Sequence, residues 1–165
     1  MGWRSRHRAS AHDRPGLDKR TGYKVFGLID SFSGRLFWHG QTERFTAETY
    51  CTFLATVLAA TEQPLIIIQD GARYHTAKTT RAFVAAHADR LQVVPLPAYS
   101  PDYNPIEHLW RHVKRTRTHN RYFPTFEALI EAVEDALTAF KQQPNAVKRL
   151  MGAYLDETLP LPPAA

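Results

Sequence analysis

Cysteine and long apolar runs are scarce in this chain of 165 residues. A single cysteine, Cys51, excludes an internal disulfide and is typical of a reducing, cytoplasmic setting. No apolar run approaches the roughly 20 residues that a membrane-spanning helix needs. The basic N-terminus is not followed by the apolar segment of a secretory signal. We therefore expect a cytoplasmic protein with no membrane partner.

The composition is otherwise that of a folded, basic domain. Hydrophobic residues make up 44% of the sequence, which is enough for one domain with a buried core. The formal net charge is +5. A basic net charge favours a polyanionic partner such as DNA, but many basic proteins bind no polyanion. The charge supports DNA binding only together with a candidate site.

Composition divides the chain into three parts. Residues 1–20 are rich in arginine and lysine and lack an apolar pattern, so we predict a flexible basic arm. Residues 21–155 carry the patterns of a folded domain. Residues 156–165 include a proline-rich run that cannot be helical, and we predict a disordered tail there.

Hydrophobic periodicity predicts an α/β fold for the middle part. A hairpin, Tyr23–Ile29 and Arg35–His39, is followed by a helix capped by Thr46. Leu65–Ile68 is continuously apolar, which predicts a strand buried on both faces. Further along we predict helices over 76–89, 104–119 and from Thr125 onward, and a strand over 91–96.

The first candidate functional residue is Asp70, which follows the apolar strand directly and precedes the flexible pair Gly71-Ala72. Sites in α/β proteins lie at the carboxyl ends of parallel strands. An Asp at a strand end also commonly caps the next turn. The residues around Asp70 leave these two interpretations nearly even.

The second candidate, Glu107, stands 37 positions later in the segment Tyr-Ser-Pro-Asp-Tyr-Asn-Pro-Ile-Glu-His-Leu-Trp. With Asn104 as N-cap and Pro105 at the first helical position, a capping box would suffice to explain Glu107. Capping does not explain the proline-flanked lead-in, which is typical of a loop that holds a ligand in one conformation. A strand-end Asp and a helix-start Glu at one sheet edge are typical of nucleases that hold a divalent metal against a phosphodiester.

Neighbouring residues carry weaker signals. His75 can orient a phosphate or a water, or can simply lie on the surface at a helix entry. Asp102 fits a turn after Pro101 better than a metal ligand. His108 and His112 have the spacing of a zinc pair, but no third ligand is near them, so we do not expect zinc.

A basic stretch follows Glu107 on the same predicted helix. Solvated charge is the default interpretation of such a face, but beside a carboxylate site it would also follow a phosphate backbone. We therefore predict DNA contacts from His75, Arg111, Lys114, Arg115 and Arg117.

Two segments together resemble a known family. They are Leu-Ile-Ile-Ile-Gln-Asp-Gly-Ala-Arg-Tyr-His at 65–75 and Leu-Pro-Ala-Tyr-Ser-Pro-Asp-Tyr-Asn-Pro-Ile-Glu-His-Leu-Trp at 96–110. They are similar to the DDE transposase domain of bacterial insertion sequences related to the Tc/mariner superfamily, and the likeness covers roughly Tyr23 to Tyr154. The resemblance implies a ribonuclease-H-like fold with a mixed sheet flanked by helices. It also implies Mg²⁺ or Mn²⁺ as cofactor, and cleavage and joining of DNA at transposon ends.

Carried over by position, Asp70 corresponds to the second catalytic, metal-binding carboxylate of the family and Glu107 to the third. In the family the first catalytic Asp lies on a strand before the hairpin, where this chain has only the basic arm. Asp13 and Asp18 have no predicted strand around them. Asp30 should lie at the opposite sheet edge from Asp70, so we expect none of these three to replace the first acid.

These departures set the functional expectation. The family's N-terminal helix-turn-helix region has no counterpart here, so we expect the C-terminal part of a transposase, from a truncated reading frame or one half of a frameshifted pair. The predicted function is metal-dependent DNA cleavage and strand transfer, with the chain inactive alone. The alternative is a non-catalytic DNA-binding or oligomerisation fragment that modulates a full-length transposase. Its partners would then be DNA, further copies of itself or that transposase.

Overall fold

The computed structural model describes residues 2–3, 22–97 and 104–158, with side chains described to residue 152. The strands are β1 (Gly2–Trp3), β2 (Tyr23–Ile29), β3 (Leu36–Gln41), β4 (Leu65–Gln69) and β5 (Leu91–Pro95). The helices are α1 (Ala47–Ala59), α2 (Arg73–Thr76), α3 (Lys78–Ala86), α4 (Ile106–Val113), α5 (Phe126–Lys141) and α6 (Pro144–Thr158). A π-helical turn, Lys114–Thr118, continues α4. The predicted α/β class is confirmed.

The strands form two separate sheets. β1, β2 and β3 are antiparallel in that order, with Lys24 opposite both Gly2 and Gln41. β4 and β5 form a parallel pair in which Ile68 lies opposite Val94. The two sheets together contain antiparallel and parallel pairs, and no strand pairing joins β2 to β4 among the described residues.

Two hydrophobic cores lie on opposite faces of β2. Side chains alternate along a strand. In the first core, Tyr23 and Val25 therefore pack with helices α4, α5 and α6, and in the second core Phe26 packs with α1, β4 and β5. Two of these helices begin at the caps predicted from the sequence. Thr46 forms a capping box with Thr49 at the start of α1. The hydroxyl of Thr125 likewise accepts a hydrogen bond from Ala128 N at the start of α5.

The prediction that β4 is buried on both faces is wrong. Ile67 is buried, but the side chains of Ile66 and Ile68 are 68% and 61% exposed. The reason is that α1 and α3 cover one face of the parallel pair, while helices α4 to α6 pack on the antiparallel sheet.

Other helix bounds differ from the predicted ones, because tertiary packing overrides local propensity. The helix predicted over 76–89 corresponds to α3, which is shorter, and the short helix α2 before it and α6 were not predicted. Helix α6 is anchored in the first core by Val147 and Met151, one turn apart.

The predicted arm and tail fall largely outside the described residues. Within the arm, only Gly2–Trp3 is described, and it pairs with β2. The rest of the arm, the proline-rich run from Leu159 and residues 98–103 lie outside the described residues. The division of the chain at residues 20 and 155 stays a prediction. In the described ranges, no helix is both long and apolar enough to cross a membrane.

Replacing Gly27 tests the packing of α4 on β2. A Cβ at Gly27 would lie 2.5 Å from Trp110 Cζ2 and 2.7 Å from Ile106 Cδ1. We expect Gly27→Ala to lower the free energy of unfolding by about 1–3 kcal/mol through overpacking, measured by urea denaturation. In the control Gly152→Ala, inside α6, the added Cβ meets nothing within 4 Å. That variant should gain up to about 1 kcal/mol from helix propensity. Equal stability of both variants would contradict the close contact.

Candidate active site

A cleft of about 330 Å³ separates the edges of β2 and β4. Its walls include Gly27 and Ile29 from β2 and Ile66 and Ile68 from β4. Both predicted catalytic acids line the cleft as well, Asp70 from the end of β4 and Glu107 from the first turn of α4. The structure thus brings to one cleft two acids that stand far apart in sequence.

The turn after β4 fixes the carboxylate of Asp70. Its Oδ1 accepts a hydrogen bond from Ala72 N at 3.0 Å and lies 2.8 Å from Nδ1 of His75. Among the described residues, Oδ2 has no hydrogen-bond partner, and the side chain is 56% exposed. The turn-capping interpretation is therefore confirmed, and it leaves the second oxygen available to a ligand, so the site interpretation stays a prediction.

The environment of Asp70 favours its ionised form. The hydrogen bond from His75 lowers the pKa of Asp70 below its usual value, and the hydrogen bond from Ala72 N adds to this against the opposing effect of partial burial. A carboxylate that stays charged near neutral pH is suited to bind a cation.

His75 is an orienting residue for Asp70 in this geometry. Its side chain is only 10% exposed. The ring packs against Tyr50 and Tyr74, with centroids 4.5 and 4.3 Å away. The predicted contact of His75 with DNA stays a prediction, since its Nδ1 is occupied by Asp70 and by the carbonyl oxygen of the same residue, at 2.9 Å.

Glu107 does not form the capping box that the sequence allowed. Helix α4 begins at Ile106, with Pro105 as its N-cap and no side-chain cap hydrogen bond. Instead, Glu107 N donates to the carbonyl oxygen of Asn104 at 3.0 Å. Ile106 and Trp110 pack in the first core on either side of Glu107. The half-buried carboxylate is thus left free of a capping role.

Two tyrosines that the sequence did not single out form the floor beside the acids. Burial, then the negative charges of Asp70 and Glu107, raise the pKa of Tyr74 to about 12. Both carboxylates therefore act electrostatically on one phenol. Burial and the charges of Tyr74 and Asp70 also raise the pKa of Tyr50, whose hydroxyl donates to Gln69 Oε1 at 2.5 Å. Tyr74 follows Asp70 by four residues, and this spacing is the sequence signal that could have identified Tyr74 as a residue of the site.

Asp30 is not among the residues that line the cleft. Tyr50, near the start of α1, contacts Gln69 beside Asp70. Arg35, next to the hairpin turn, reaches the carbonyl oxygen of Ala60 after the end of α1 at 3.2 Å. Asp30 therefore lies at the opposite end of the sheet from Asp70, as predicted.

Asp30 is also engaged in its own turn. It accepts hydrogen bonds from Phe32 N at 2.9 Å and from Ser33 Oγ at 2.5 Å. Although partial burial raises its pKa, these hydrogen bonds lower the pKa of Asp30 overall. Asp13, Asp18 and Asp102 lie outside the described residues. In the described ranges, no group of three or more His, Cys, Asp or Glu side chains could hold a metal ion.

The predicted basic face continues along α4 and the π-helical turn. Arg111, Arg115 and Arg117 are exposed there, whereas Lys114 is half-buried. The turn closes through a hydrogen bond from His119 N to the carbonyl oxygen of Lys114 at 2.7 Å. No acidic residue lies between Glu107 and Glu127 in the sequence. This segment therefore carries basic and no acidic side chains, and it continues the helix on which Glu107 lies.

These features define an α/β domain of the ribonuclease-H-like fold with acids at the carboxyl end of a parallel strand. The fold matches the catalytic domain of Mos1 mariner transposase with a TM-score of 0.60 and 16% identity, covering 83% of this chain and 74% of that one. A Mos1 paired-end complex with the left transposon end matches with a TM-score of 0.60 and 19% identity, over 92% of this chain and 47% of that one. The Mos1 catalytic domain has also been solved with raltegravir and Mg or Mn.

The family model of the DDE superfamily endonucleases matches residues 6–130, and the chain belongs to this family. Among individual proteins it is similar to the Tc3 transposase of Caenorhabditis elegans, with 30% identity over 92 residues. That match covers 55% of this chain and 27% of Tc3 transposase, so the chain spans about a quarter of this relative. The resemblance to Tc/mariner DDE transposases is confirmed.

Removing the imidazole tests its effect on Asp70. We expect His75→Phe to raise the pKa of Asp70 toward its usual value of about 3.9, as measured by carboxyl-detected NMR titration. The matched control is His87→Phe, because His87 contacts the carbonyl oxygen of Phe83 and not Asp70. Because the folded-state pKa of Asp70 is lowered, its contribution to stability is present above the unfolded-state pKa and is lost as the pH falls through the folded-state pKa. An unchanged titration of Asp70 in His75→Phe would contradict this coupling.

Proposed function

We propose that this domain is the catalytic domain of a transposase, which performs metal-dependent DNA cleavage and strand transfer at transposon ends, and that the chain is inactive alone because only two carboxylates converge among the described residues. The observation that carries the proposal is the convergence of Asp70 and Glu107 on one cleft. Membership of the DDE superfamily endonucleases and the likeness to Mos1 and Tc3 transposases support it.

The proposed cofactor is Mg²⁺ or Mn²⁺, held by Asp70 and Glu107. The donor set fits such an ion, because hard cations take carboxylate oxygens and Mg²⁺ is commonly bound through one or two carboxylates and substrate phosphates. A bound ion of this kind supplies Lewis acidity to a phosphodiester and lowers the pKa of a nucleophilic water. The chain's own residues keep Asp70 ionised and oriented through His75 and Ala72.

The proposed DNA surface is the basic face that runs from Arg111 to Arg117. These side chains would contact phosphates, which fix the register of DNA without reading its sequence. Copies of the chain or a full-length transposase are proposed as protein partners, since Mos1 transposase forms a paired-end complex. The free Cys51 supports the proposal of a cytoplasmic setting.

Metal binding tests the proposed cofactor site. We expect Mn²⁺ to bind weakly to the purified chain, because only two protein carboxylates converge. Asp70→Asn and Glu107→Gln should each abolish detectable binding in electron paramagnetic resonance titrations. Asp30→Asn is the control, since Asp30 lies at the other end of the sheet. Binding that survives both site substitutions would place the ion elsewhere.

Salt dependence tests the proposed DNA surface. We expect duplex binding without sequence preference, with log affinity falling as log salt rises by about 0.9 per phosphate contact. Replacing Arg115 and Arg117 by Ala should therefore flatten the slope by about 1.8. The control pair is Lys78→Ala with Arg81→Ala, two exposed basic residues on α3. A sequence-selective, salt-insensitive complex would contradict the model.

A second function, that of a non-catalytic fragment that modulates a full-length transposase, is favoured by one observation. No third metal-binding side chain joins Asp70 and Glu107 among the described residues. Two carboxylates can hold one ion, but stabilising both the attacking and the leaving oxygen in a two-metal site requires further ligands.

Nicking of supercoiled plasmid tests the expectation that the chain is inactive alone. We expect the purified chain to produce no Mg²⁺-dependent nicks while still retarding DNA in gels. Cleavage that is lost in both Glu107→Gln and Asp30→Asn would instead make the chain an active enzyme with Asp30 as its first acid. The catalytically silent control for DNA binding is Glu107→Gln, which should retard DNA as the wild type does.

A further inference from the structure

Tyr122 is an exposed aromatic residue on the segment that joins the π-helical turn to α5. It is 71% exposed, whereas Tyr23 and Tyr50 are 3% and 5% exposed in the two cores. The next residue, Phe123, packs against the first core. A single exposed aromatic ring is common on protein surfaces, so its meaning depends on its surroundings.

The surroundings of Tyr122 are basic. Arg117, His119 and Arg121 are exposed, and the sequence from position 108 to position 126 contains no acidic residue. In the part of the chain that the structure describes, neither of the two arginines forms an ion pair with a carboxylate. Their guanidinium groups are therefore available to an anionic ligand next to the exposed ring.

The main chain beside Tyr122 is held in a defined turn. Arg121 N donates to the carbonyl oxygen of Thr118 at 3.4 Å, which closes the turn. Asn120 within it has a φ of 55°, a left-handed conformation that asparagine adopts more readily than most residues. On the other side, the hydroxyl of Thr125 caps α5. Because the backbone is fixed on both sides, binding at the ring has a small cost in conformational entropy.

The turn lies at the far end of the basic face from the candidate active site. At 1.5 Å per residue, the eight residues from Glu107 to Arg115 correspond to about 12 Å along the helix axis. A stacked DNA strand advances by about 3.4 Å per nucleotide. A strand that follows the helix from the acids therefore reaches the turn that carries Tyr122 after roughly four nucleotides.

Arginine and tyrosine side chains together match the chemistry of unpaired DNA. Guanidinium groups bind the phosphates of single and double strands alike. A phenol ring, in contrast, stacks only on a base whose face is accessible, and within a duplex both faces of a base are covered by its neighbours. Aromatic rings beside basic side chains are the usual means of binding single strands without sequence preference. The ring of Tyr122 therefore favours unpaired bases over paired ones.

We propose that Arg117, Arg121 and Tyr122 form a binding surface for single-stranded DNA, in which the arginines contact phosphates and the tyrosine ring stacks on an unpaired base. This inference rests on the proposed function, because it takes DNA as the ligand. It goes further by naming the unpaired form of DNA as the one that this end of the basic face selects. Tyrosine and arginine are also frequent in protein interfaces, so self-association is the competing outcome of the test.

The test uses the full chain and an oligothymidine of about ten nucleotides that carries one 2-aminopurine, together with a duplex of equal length. We expect the single strand to bind with quenching of 2-aminopurine fluorescence, because the base stacks on the ring. Tyr122→Ala should weaken single-strand binding by about tenfold and abolish the quenching, with duplex affinity unchanged. Tyr122→Trp should retain both signals, because indole also stacks.

The matched control is Phe32→Ala, which removes another exposed aromatic ring. Phe32 is 88% exposed on the turn after β2, and its neighbours Ser31 and Ser33 carry no charge. This variant should bind both forms of DNA as the wild type does. Equal losses in Phe32→Ala and Tyr122→Ala would overturn the inference, because the effect would not depend on the basic surroundings.

Salt dependence gives a second readout that separates stacking from charge. Tyr122→Ala should leave the slope of log affinity against log salt unchanged, because stacking releases no counterions. Arg121→Ala should reduce that slope by about 0.7 on single strands. Single-strand affinity that Tyr122→Ala leaves unchanged would overturn the inference. Loss of self-association in sedimentation, with DNA affinity intact, would also overturn it and assign the ring to a protein interface.

Failure of this inference is distinguishable from failure of the proposed function. If duplex DNA binds through Arg115 and Arg117 but Tyr122→Ala has no effect on single strands, only the inference is wrong. If neither form of DNA binds the chain, DNA is not the ligand and the proposed function fails as well. Thermal unfolding of Tyr122→Ala at the wild-type temperature, as expected for a largely exposed side chain, shows that a loss of binding is not a folding defect.

Discussion

The packing of Trp110 on Gly27 is the contact on which the candidate site depends. Trp110 is 3% exposed, and its ring occupies the space where any larger residue at position 27 would place its Cβ. This contact holds the first turn of α4, and with it Glu107, above the middle of β2. Asp70 reaches the same cleft from the opposite core, through β4 and α1. The two acids are thus brought together by packing on the two faces of one strand, and a change at Gly27 would displace one acid without moving the other.

The pKa shifts at the site have opposite directions for the acid and the phenols. Hydrogen bonds from His75 and Ala72 lower the pKa of Asp70, while burial and nearby negative charge raise the pKa of Tyr74 and Tyr50. The negative charge of Asp70 therefore contributes to the raised pKa of both phenols. Such opposed shifts are typical of functional sites, because each side chain is held in the protonation state that its role requires.

Local signals in the sequence predicted the elements whose stability is local. Tyr23–Ile29 has the predicted bounds, and Thr46 and Thr125 cap the helices they were expected to cap. The pairing of Asp70 with Glu107 in one cleft followed from strand-end and helix-start positions. The exposed face of β4 could not be predicted from the sequence. A continuous apolar run indicates that both faces of a strand can be buried, but it does not show which elements cover them. Helix α6 was not predicted, although Val147, Leu150 and Met151 have the i, i+3, i+4 spacing of a helix and pack in or against the first core.

The division between β2 and β4 also affects the relative placement of the two acids. In a continuous sheet, main-chain ladders fix neighbouring strands about 4.8 Å apart. Here no ladder joins β2 to β4 among the described residues, so their separation rests on side chains alone. Side-chain packing tolerates shifts that a ladder does not, because its contacts are weak individually and lack direction. Asp70 belongs to one half of the sheet and Glu107 is packed on the other, so the distance between their carboxylates is set at this seam.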